Sequence, residues 1–103
     1  MAELSDFPIT GKWPATVFES GAILSYLAEI SGKLMGTSPA EKAKVIQWLM
    51  FQMGGLGPMF GQMGFFYKFA GSEWEDKRPQ QRYLDEAARL LAVVDKALDG
   101  QEW

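Results

Sequence analysis

The five residues from Phe18 to Ala22, FESGA, hold the clearest polar chemistry in the chain. A carboxylate, Glu19, stands beside a hydroxyl, Ser20, directly before an apolar pattern of helical spacing. The first backbone N–H groups of a helix lack an intrahelical acceptor and attract negative charge. Glu19 can therefore take an ammonium group, while Ser20 and those N–H groups take a carboxylate. This pairing of charges suits the zwitterionic headgroup of an α-amino acid.

The same two residues also have a purely structural interpretation. Ser20 is a favourable N-cap and Glu19 complements the helix dipole, and the residues alone favour this interpretation. The hydroxyls of Tyr26, Tyr67 and Tyr83 could donate to an oxyanion or a thiolate, although a tyrosine on a helix face usually belongs to the core or its rim. No pair of carboxylates has a spacing that indicates acid–base catalysis.

Composition excludes several kinds of site. The 103 residues carry a formal net charge of −3 and no basic cluster, so no nucleic-acid partner is expected. The absence of Cys and His excludes disulfides, Cys or His nucleophiles and the usual zinc sites. No metal is predicted. The N-terminal residues lack a secretory-signal pattern, so we expect a cytoplasmic location.

Two helices are predicted in the first half of the chain. Apolar spacing predicts the first at about residues 20–31, with Gly32 closing it. A capping box from Ser38 to Glu41, with Pro39 at the first helical position, marks the start of a long central helix. That helix is expected to end near residues 70–71.

A third helix is predicted to open at Pro79 and to stop at Gly100. Its apolar positions step by three and four residues, as one face of an amphipathic helix does. They are Leu84, Ala87, Leu91, Val94 and Leu98. The three elements together predict a long antiparallel helical hairpin with a shorter helix laid on it.

The central helix contains residues 45–67, which hold no charged side chain. A run longer than about 18 uncharged residues is the length signal for a membrane span. Its glutamines, glycines and proline lower its hydrophobicity, so we expect no membrane span but a buried helix, bent near Gly57 and Pro58. Glycines recur at steps of three and four residues, which predicts a face of close helix approach. They are Gly54, Gly57, Gly61 and Gly64.

Two stretches carry a resemblance to a known family. Residues 17–24 (VFESGAIL), with residues 26–29 (YLAE), resemble the end of the thioredoxin-like domain of glutathione transferases. Residues 47–59 (QWLMFQMGGLGPM), with Gly61 and Gln62, resemble the first long helix of that family's helical domain. These two stretches are most similar to the sequences of the Nu-type, disulfide-reductase-like branch and its yeast prion-protein relatives. The resemblance extends over about residues 16–103.

The resemblance implies a mainly α fold truncated at both ends. Residues 1–36 would be the remnant of the thioredoxin-like, glutathione-binding domain, and residues 37–103 would be the first helical hairpin of the all-α C-terminal domain. Its implied activity is glutathione-dependent transfer or disulfide reduction, with glutathione as substrate. Little activity is expected from this chain alone, because the family's thiol-activating segment is missing from it. The alternative is a non-catalytic, oligomerising helical interaction module.

The resemblance also implies residue roles. Glu19 and Ser20 would bind the γ-glutamyl end of glutathione, which agrees with the zwitterion chemistry above. Pro14 echoes the family's cis-proline, and Gln52 and Tyr67 would line the wall of the electrophile pocket. No catalytic residue is assigned. The first and central helices would face a partner in a homodimer or higher oligomer.

Overall fold

The computed structural model describes residues 16–102, and all regular structure in that range is helical. The mainly α fold class is therefore confirmed. The α-helices are α1 (Ser20–Ser31), α2 (Pro39–Phe51), α3 (Gly57–Tyr67) and α4 (Arg78–Leu98). A π-helical turn (Gln52–Leu56) joins α2 to α3, and a 3-10 turn (Ala70–Glu73) follows α3. None of the described helices is both long enough and apolar enough to cross a membrane.

The described residues divide into two compact units between Met50 and Phe51. The first unit contains α1 and nearly all of α2. Helix α1 ends as predicted, because Gly32 takes the left-handed conformation with φ 65°. The predicted boundary between residues 36 and 37, which rests on the family's domain division, stays a prediction.

The capping box at the start of α2 is confirmed. The backbone N–H of Glu41 donates to Ser38 Oγ at 3.2 Å. In return Glu41 Oε2 accepts the backbone N–H groups of Ser38 at 2.9 Å and of Thr37 at 2.8 Å. These hydrogen bonds stabilise the charged carboxylate and lower the pKa of Glu41 to about 2. The hydrogen bond from the Ser38 backbone makes the largest contribution.

A π-helical turn carries the central helix past Pro58. Proline has no N–H to donate, and its ring crowds the carbonyl of the preceding turn. Widening that turn relieves the conflict, and the N–H of Gly57 donates to the carbonyl of Gln52, five residues earlier. The irregularity predicted near Gly57 and Pro58 is therefore present as a wider turn within the helix.

Helices α3 and α4 form the predicted antiparallel hairpin in the second unit. Gly55, just before α3, lies against Leu90, whereas Phe66 at the far end of α3 stacks on Tyr83. Residues late in α3 thus contact residues early in α4, and the reverse, which makes the two helices antiparallel. The buried apolar side chains of the described residues are Ala87 and Leu90.

The apolar stripe predicted for α4 needs correction. The stripe includes Leu91 and Leu98, yet these side chains are 53% and 44% exposed. Leu90, which the stripe omitted, is only 2% exposed. Helix α3 covers only one side of α4, and that side is centred nearer to Leu90 than to Leu91.

The predictions of a buried central helix and of its glycine face also fail for this chain taken alone. No residue of α2, the π turn or α3 is buried. A Cβ placed at Gly54 or Gly61 would have no atom within 4 Å, whereas one at Gly55 would lie 3.4 Å from Leu90 Cδ2. The π turn changes the angular register of the glycines, so Gly55 takes the position of close approach.

Candidate functional site

Glu19 lies immediately before α1 in a strained backbone conformation. Its φ of 72° and ψ of 121° fall in a region that residues with a side chain seldom adopt,. Its carbonyl already accepts the first helical hydrogen bond, from the N–H of Ile23 at 2.9 Å. Such strain costs about 1–3 kcal/mol and is found most often at functional sites. Among the described residues with a side chain, Glu19 shares a positive φ only with Leu34, at 66°.

The Glu19 side chain does not cap α1. Glu19 is the N-cap residue and makes no side-chain cap hydrogen bond. Ser20, which the structural interpretation placed at the N-cap, is instead the first helical residue. Both side chains are exposed. No hydrogen bond or ion pair within residues 16–102 engages the Glu19 carboxylate.

The chemistry open to this arrangement is the binding of paired opposite charges. The N–H groups of Gly21 and Ala22, in the first turn of α1, have no acceptor within the helix because no turn precedes them. They favour an anion, and the Glu19 carboxylate beside them favours a cation. A molecule with a carboxylate and an ammonium on neighbouring atoms satisfies both.

Contacts within α1 fix the backbone that follows Glu19. Gly21 is its only buried residue, and the hydroxyl of Ser25 donates to the Gly21 carbonyl at 3.0 Å. At the other end the hydroxyl of Ser31 accepts the N–H of Lys33 at 3.3 Å. The Ser25 hydroxyl thus ties the second turn of α1 to the first turn, which directly follows Glu19.

The other predicted site residues are not brought together. Gln52 begins the π turn, and its Nε2 lies 2.9 Å from the position a Cβ would take at Gly57. Tyr67 is the last residue of α3 and is 61% exposed. Fifteen residues of helix separate the two by about 22 Å, so they do not share one position along it. Their role in a pocket wall stays a prediction, and Pro14 lies outside the described residues.

Sequence reasoning missed the strain at Glu19 and the π turn. The adjacent Gly57 and Pro58 signalled an irregular helix but not its kind, and no residue pattern signals a positive φ at a glutamate. Among the described residues no group of three His, Cys, Asp or Glu side chains is placed to hold a metal ion.

Comparison with known proteins gives similarity along most of the chain. Disulfide-bond oxidoreductase YfcG of Escherichia coli is 41% identical over 102 residues, which cover 93% of this chain and 44% of that protein. Disulfide-bond oxidoreductase YghU of the same organism is 39% identical, over 82% of this chain and 29% of its own length. The chain thus spans less than half the length of these relatives. No family model matches it.

Solved structures show the same similarity in three dimensions. A glutathione transferase from Pseudomonas putida, with one glutathione disulfide bound per subunit, superposes with a TM-score of 0.82 at 62% identity. A glutathione transferase family member from Pseudomonas fluorescens, with two glutathione bound, gives 0.81 at 66% identity. Each match covers 84% of this chain and 38% of the other chain. The similarity in sequence and the similarity in fold point to the same family.

Proposed function

We propose that this chain, which is related in sequence and in helical fold to the glutathione transferases, binds glutathione at the start of α1. The observation that carries the proposal is Glu19, a strained and exposed residue whose carboxylate has no partner in the described part of the chain. The bound ligands of the two solved relatives support the choice of glutathione.

The γ-glutamyl end of glutathione is an α-amino acid headgroup with both charges. In the proposed complex its ammonium pairs with the Glu19 carboxylate. Its carboxylate accepts hydrogen bonds from the Ser20 hydroxyl and from the N–H groups of the first turn of α1. These contacts fix the end of glutathione that is remote from its thiol, so this chain supplies binding and not thiol activation.

For the whole protein to which the site belongs we propose glutathione-dependent transfer or disulfide reduction. The names of the two Escherichia coli relatives support the second reaction. The cytoplasm is the compartment we propose, because a chain without cysteine has no disulfide that needs an oxidising environment,. This chain alone is expected to give little turnover with a thiol-reactive electrophile.

A glutathione titration followed by thermal unfolding tests the site. A ligand at ten times its dissociation constant stabilises the folded state by about 1.4 kcal/mol, which raises the melting temperature measurably. S-methylglutathione keeps the headgroup and should act like glutathione. Cysteinylglycine lacks the γ-glutamyl group and should have no effect.

Variants on α1 make the test specific. Glu19→Gln removes the charge at nearly constant size and should abolish the stabilisation by glutathione. Glu29→Gln is the matched control, because Glu29 is an exposed glutamate on the same helix and its loss should leave the stabilisation unchanged. Equal responses of the two variants, or no response of the parent chain at millimolar glutathione, would refute the proposal.

A non-catalytic interaction module is the second candidate function, and exposed apolar side chains favour it. Monomeric proteins seldom expose large apolar patches, yet several large side chains of the second unit are more than a third exposed. They include Phe65, Tyr67, Phe69, Leu91 and Leu98. We propose that such faces are covered in a homodimer or higher oligomer.

Light scattering after size-exclusion chromatography tests this second candidate. Gly61 faces open space in the chain, so Gly61→Leu leaves the fold intact and should weaken the oligomer if that face is the contact. Leu91→Gln tests the α4 side in the same way. A compact monomer at all concentrations would contradict the candidate.

A further inference from the structure

Ser25, in the second turn of α1, directs its hydroxyl back to the first turn. Ser25 Oγ donates to the Gly21 carbonyl at 3.0 Å. In a regular α-helix the same carbonyl also accepts the backbone N–H of the residue four positions ahead, which is again Ser25. Gly21 is buried and Ser25 is half-buried. The Gly21 carbonyl therefore has two donors in surroundings that are partly shielded from water.

The peptide group that accepts the Ser25 hydroxyl also belongs to the start of the helix. A carbonyl and the N–H of the next residue form one planar, conjugated group, so the Gly21 carbonyl and the Ala22 N–H are the two ends of one dipole. The Ala22 N–H has no acceptor within the helix because no turn precedes it, and Ala22 is exposed. The Ser25 hydroxyl thus acts on an N–H that the helix leaves available.

Hydrogen bonds that share a peptide group strengthen one another. A donor at the carbonyl draws electron density towards the oxygen and leaves the N–H of the same group more positive. In condensed phases each hydrogen bond of such a chain gains about 10–30% in strength. The Ser25 hydroxyl therefore makes Ala22 a stronger donor to an anion than an amide whose carbonyl has only its helical donor.

We propose that Ser25 is a positioning residue for the γ-glutamyl carboxylate of glutathione, an inference that rests on the glutathione site proposed above. Ser25 does not touch the ligand. It acts through the Gly21–Ala22 peptide group, which it holds in place and polarises, and the Ala22 N–H donates to the carboxylate. Because a more positive N–H gains most from a charged acceptor, Ser25 favours ligands with a carboxylate at this position over neutral ones.

Replacement of Ser25 by alanine tests this role. Alanine is the better helix former, and a hydroxyl bonded back to the preceding turn slightly destabilises a helix, so a purely structural role predicts no loss of affinity. We expect instead that the dissociation constant of glutathione rises by about 1.5-fold to fourfold in Ser25→Ala, as measured by isothermal titration calorimetry. Ser25→Thr keeps a hydroxyl that can reach the same carbonyl and should restore the affinity of the parent chain.

A second serine of α1 provides the matched control. The hydroxyl of Ser31 donates to the Ala28 carbonyl at 3.4 Å, and Ala28 lies about 9 Å further along the helix than Ala22. Ser31→Ala thus removes the same kind of hydrogen bond from the other end of α1. It should leave the affinity for glutathione unchanged.

Nuclear magnetic resonance measures the polarisation without any ligand. The amide proton of Ala22 should move upfield in Ser25→Ala, because a less polarised N–H is more shielded, and should return in Ser25→Thr. It should not move in Ser31→Ala. This resonance separates an effect on the Ala22 amide from a general change in the helix.

An altered ligand tests whether the effect acts on the carboxylate. In the probe, the α-carboxylate of the γ-glutamyl group of glutathione is converted to a carboxamide, which removes the charge at nearly constant size. The loss of affinity caused by Ser25→Ala should be smaller with this probe than with glutathione. An equal loss with both ligands would overturn the proposed action on the carboxylate.

The outcomes separate this role from the glutathione site itself. Equal glutathione affinity of the parent chain and Ser25→Ala, an unmoved Ala22 resonance, or an equal loss of affinity in Ser31→Ala would overturn the role of Ser25 and leave the glutathione site standing. An absence of binding by the parent chain at millimolar glutathione would refute both.

Discussion

Leu90 packs against Gly55, and its Cδ2 methyl lies 3.4 Å from the position a Cβ would take on that glycine. This contact joins the π turn to α4, and Leu90 is the largest fully buried side chain among the described residues. Leu90→Ala should lower the free energy of unfolding by about 2–4 kcal/mol through lost burial and a cavity. Urea denaturation followed by circular dichroism measures this loss.

The neighbouring Leu91 provides the control for that prediction. It belongs to the same helix but is 53% exposed, so Leu91→Ala should cost less than about 1 kcal/mol. Similar losses in both variants would mean that Leu90 is not the centre of the hairpin core.

Two glycines of the second unit should respond in opposite ways to alanine. A Cβ at Gly71 would stand 2.8–2.9 Å from the rings of Phe66 and Phe65, so Gly71→Ala forces the rings or the turn to move and should cost about 1–3 kcal/mol. A Cβ at Gly61 meets nothing within 4 Å, and alanine is the better helix former by about 1 kcal/mol. Gly61→Ala should therefore leave stability unchanged or raise it.

Thermal unfolding of the two alanine variants distinguishes these expectations. The melting temperature should fall for Gly71→Ala and not for Gly61→Ala. A fall for Gly61→Ala at low protein concentration would show that its face is already occupied within the chain.

Local signals in the sequence predict where α1 and α4 lie and where α2 begins. The central helix ends at Tyr67 and not near residues 70–71 as predicted, and the packing of the helices depends on registers that local signals do not contain. Ser38, Glu41 and Gly32 act through their own neighbours, so the start of α2 and the end of α1 were predicted correctly. The choice between Leu90 and Leu91 as the buried position depends on how α3 lies across α4. The π turn before Pro58 alters which glycine faces α4. The strain at Glu19 has no residue signature, so only the structure reveals it.

The capping carboxylate of Glu41 predicts a dependence of stability on pH. Its folded-state pKa is about 2 against an ordinary value of 4.5, so between these values the folded chain binds fewer protons than the unfolded chain. The stabilisation is complete above about pH 4.5 and is lost as the pH falls towards 2. Glu41→Gln should therefore flatten the fall in stability between pH 5 and pH 2.

Asp76 contributes in the same pH window. Hydrogen bonds from the Arg78 side chain, and then from its backbone N–H, lower the pKa of Asp76 from 3.8 to about 2. A residual slope should thus persist in Glu41→Gln and become smaller in the double variant with Asp76→Asn. Part of it should remain, because hydrogen bonds from Arg89 also lower the pKa of Glu86. Urea titrations at several pH values measure these slopes, and a full slope in the double variant would contradict both assignments.

The strain at Glu19 predicts that glycine stabilises the fold there while it removes the proposed ligand contact. Glycine adopts a φ of 72° without steric cost, whereas alanine keeps the conflict of a Cβ with its own backbone,. Glu19→Gly should therefore be more stable than Glu19→Ala by about 1 kcal/mol in the absence of ligand. Both variants lack the carboxylate, so neither should be stabilised by glutathione. Thermal unfolding with and without glutathione measures the two effects separately. If the alanine and glycine variants were equally stable, Glu19 would carry no strain, and the main structural support for a functional site at the start of α1 would be lost.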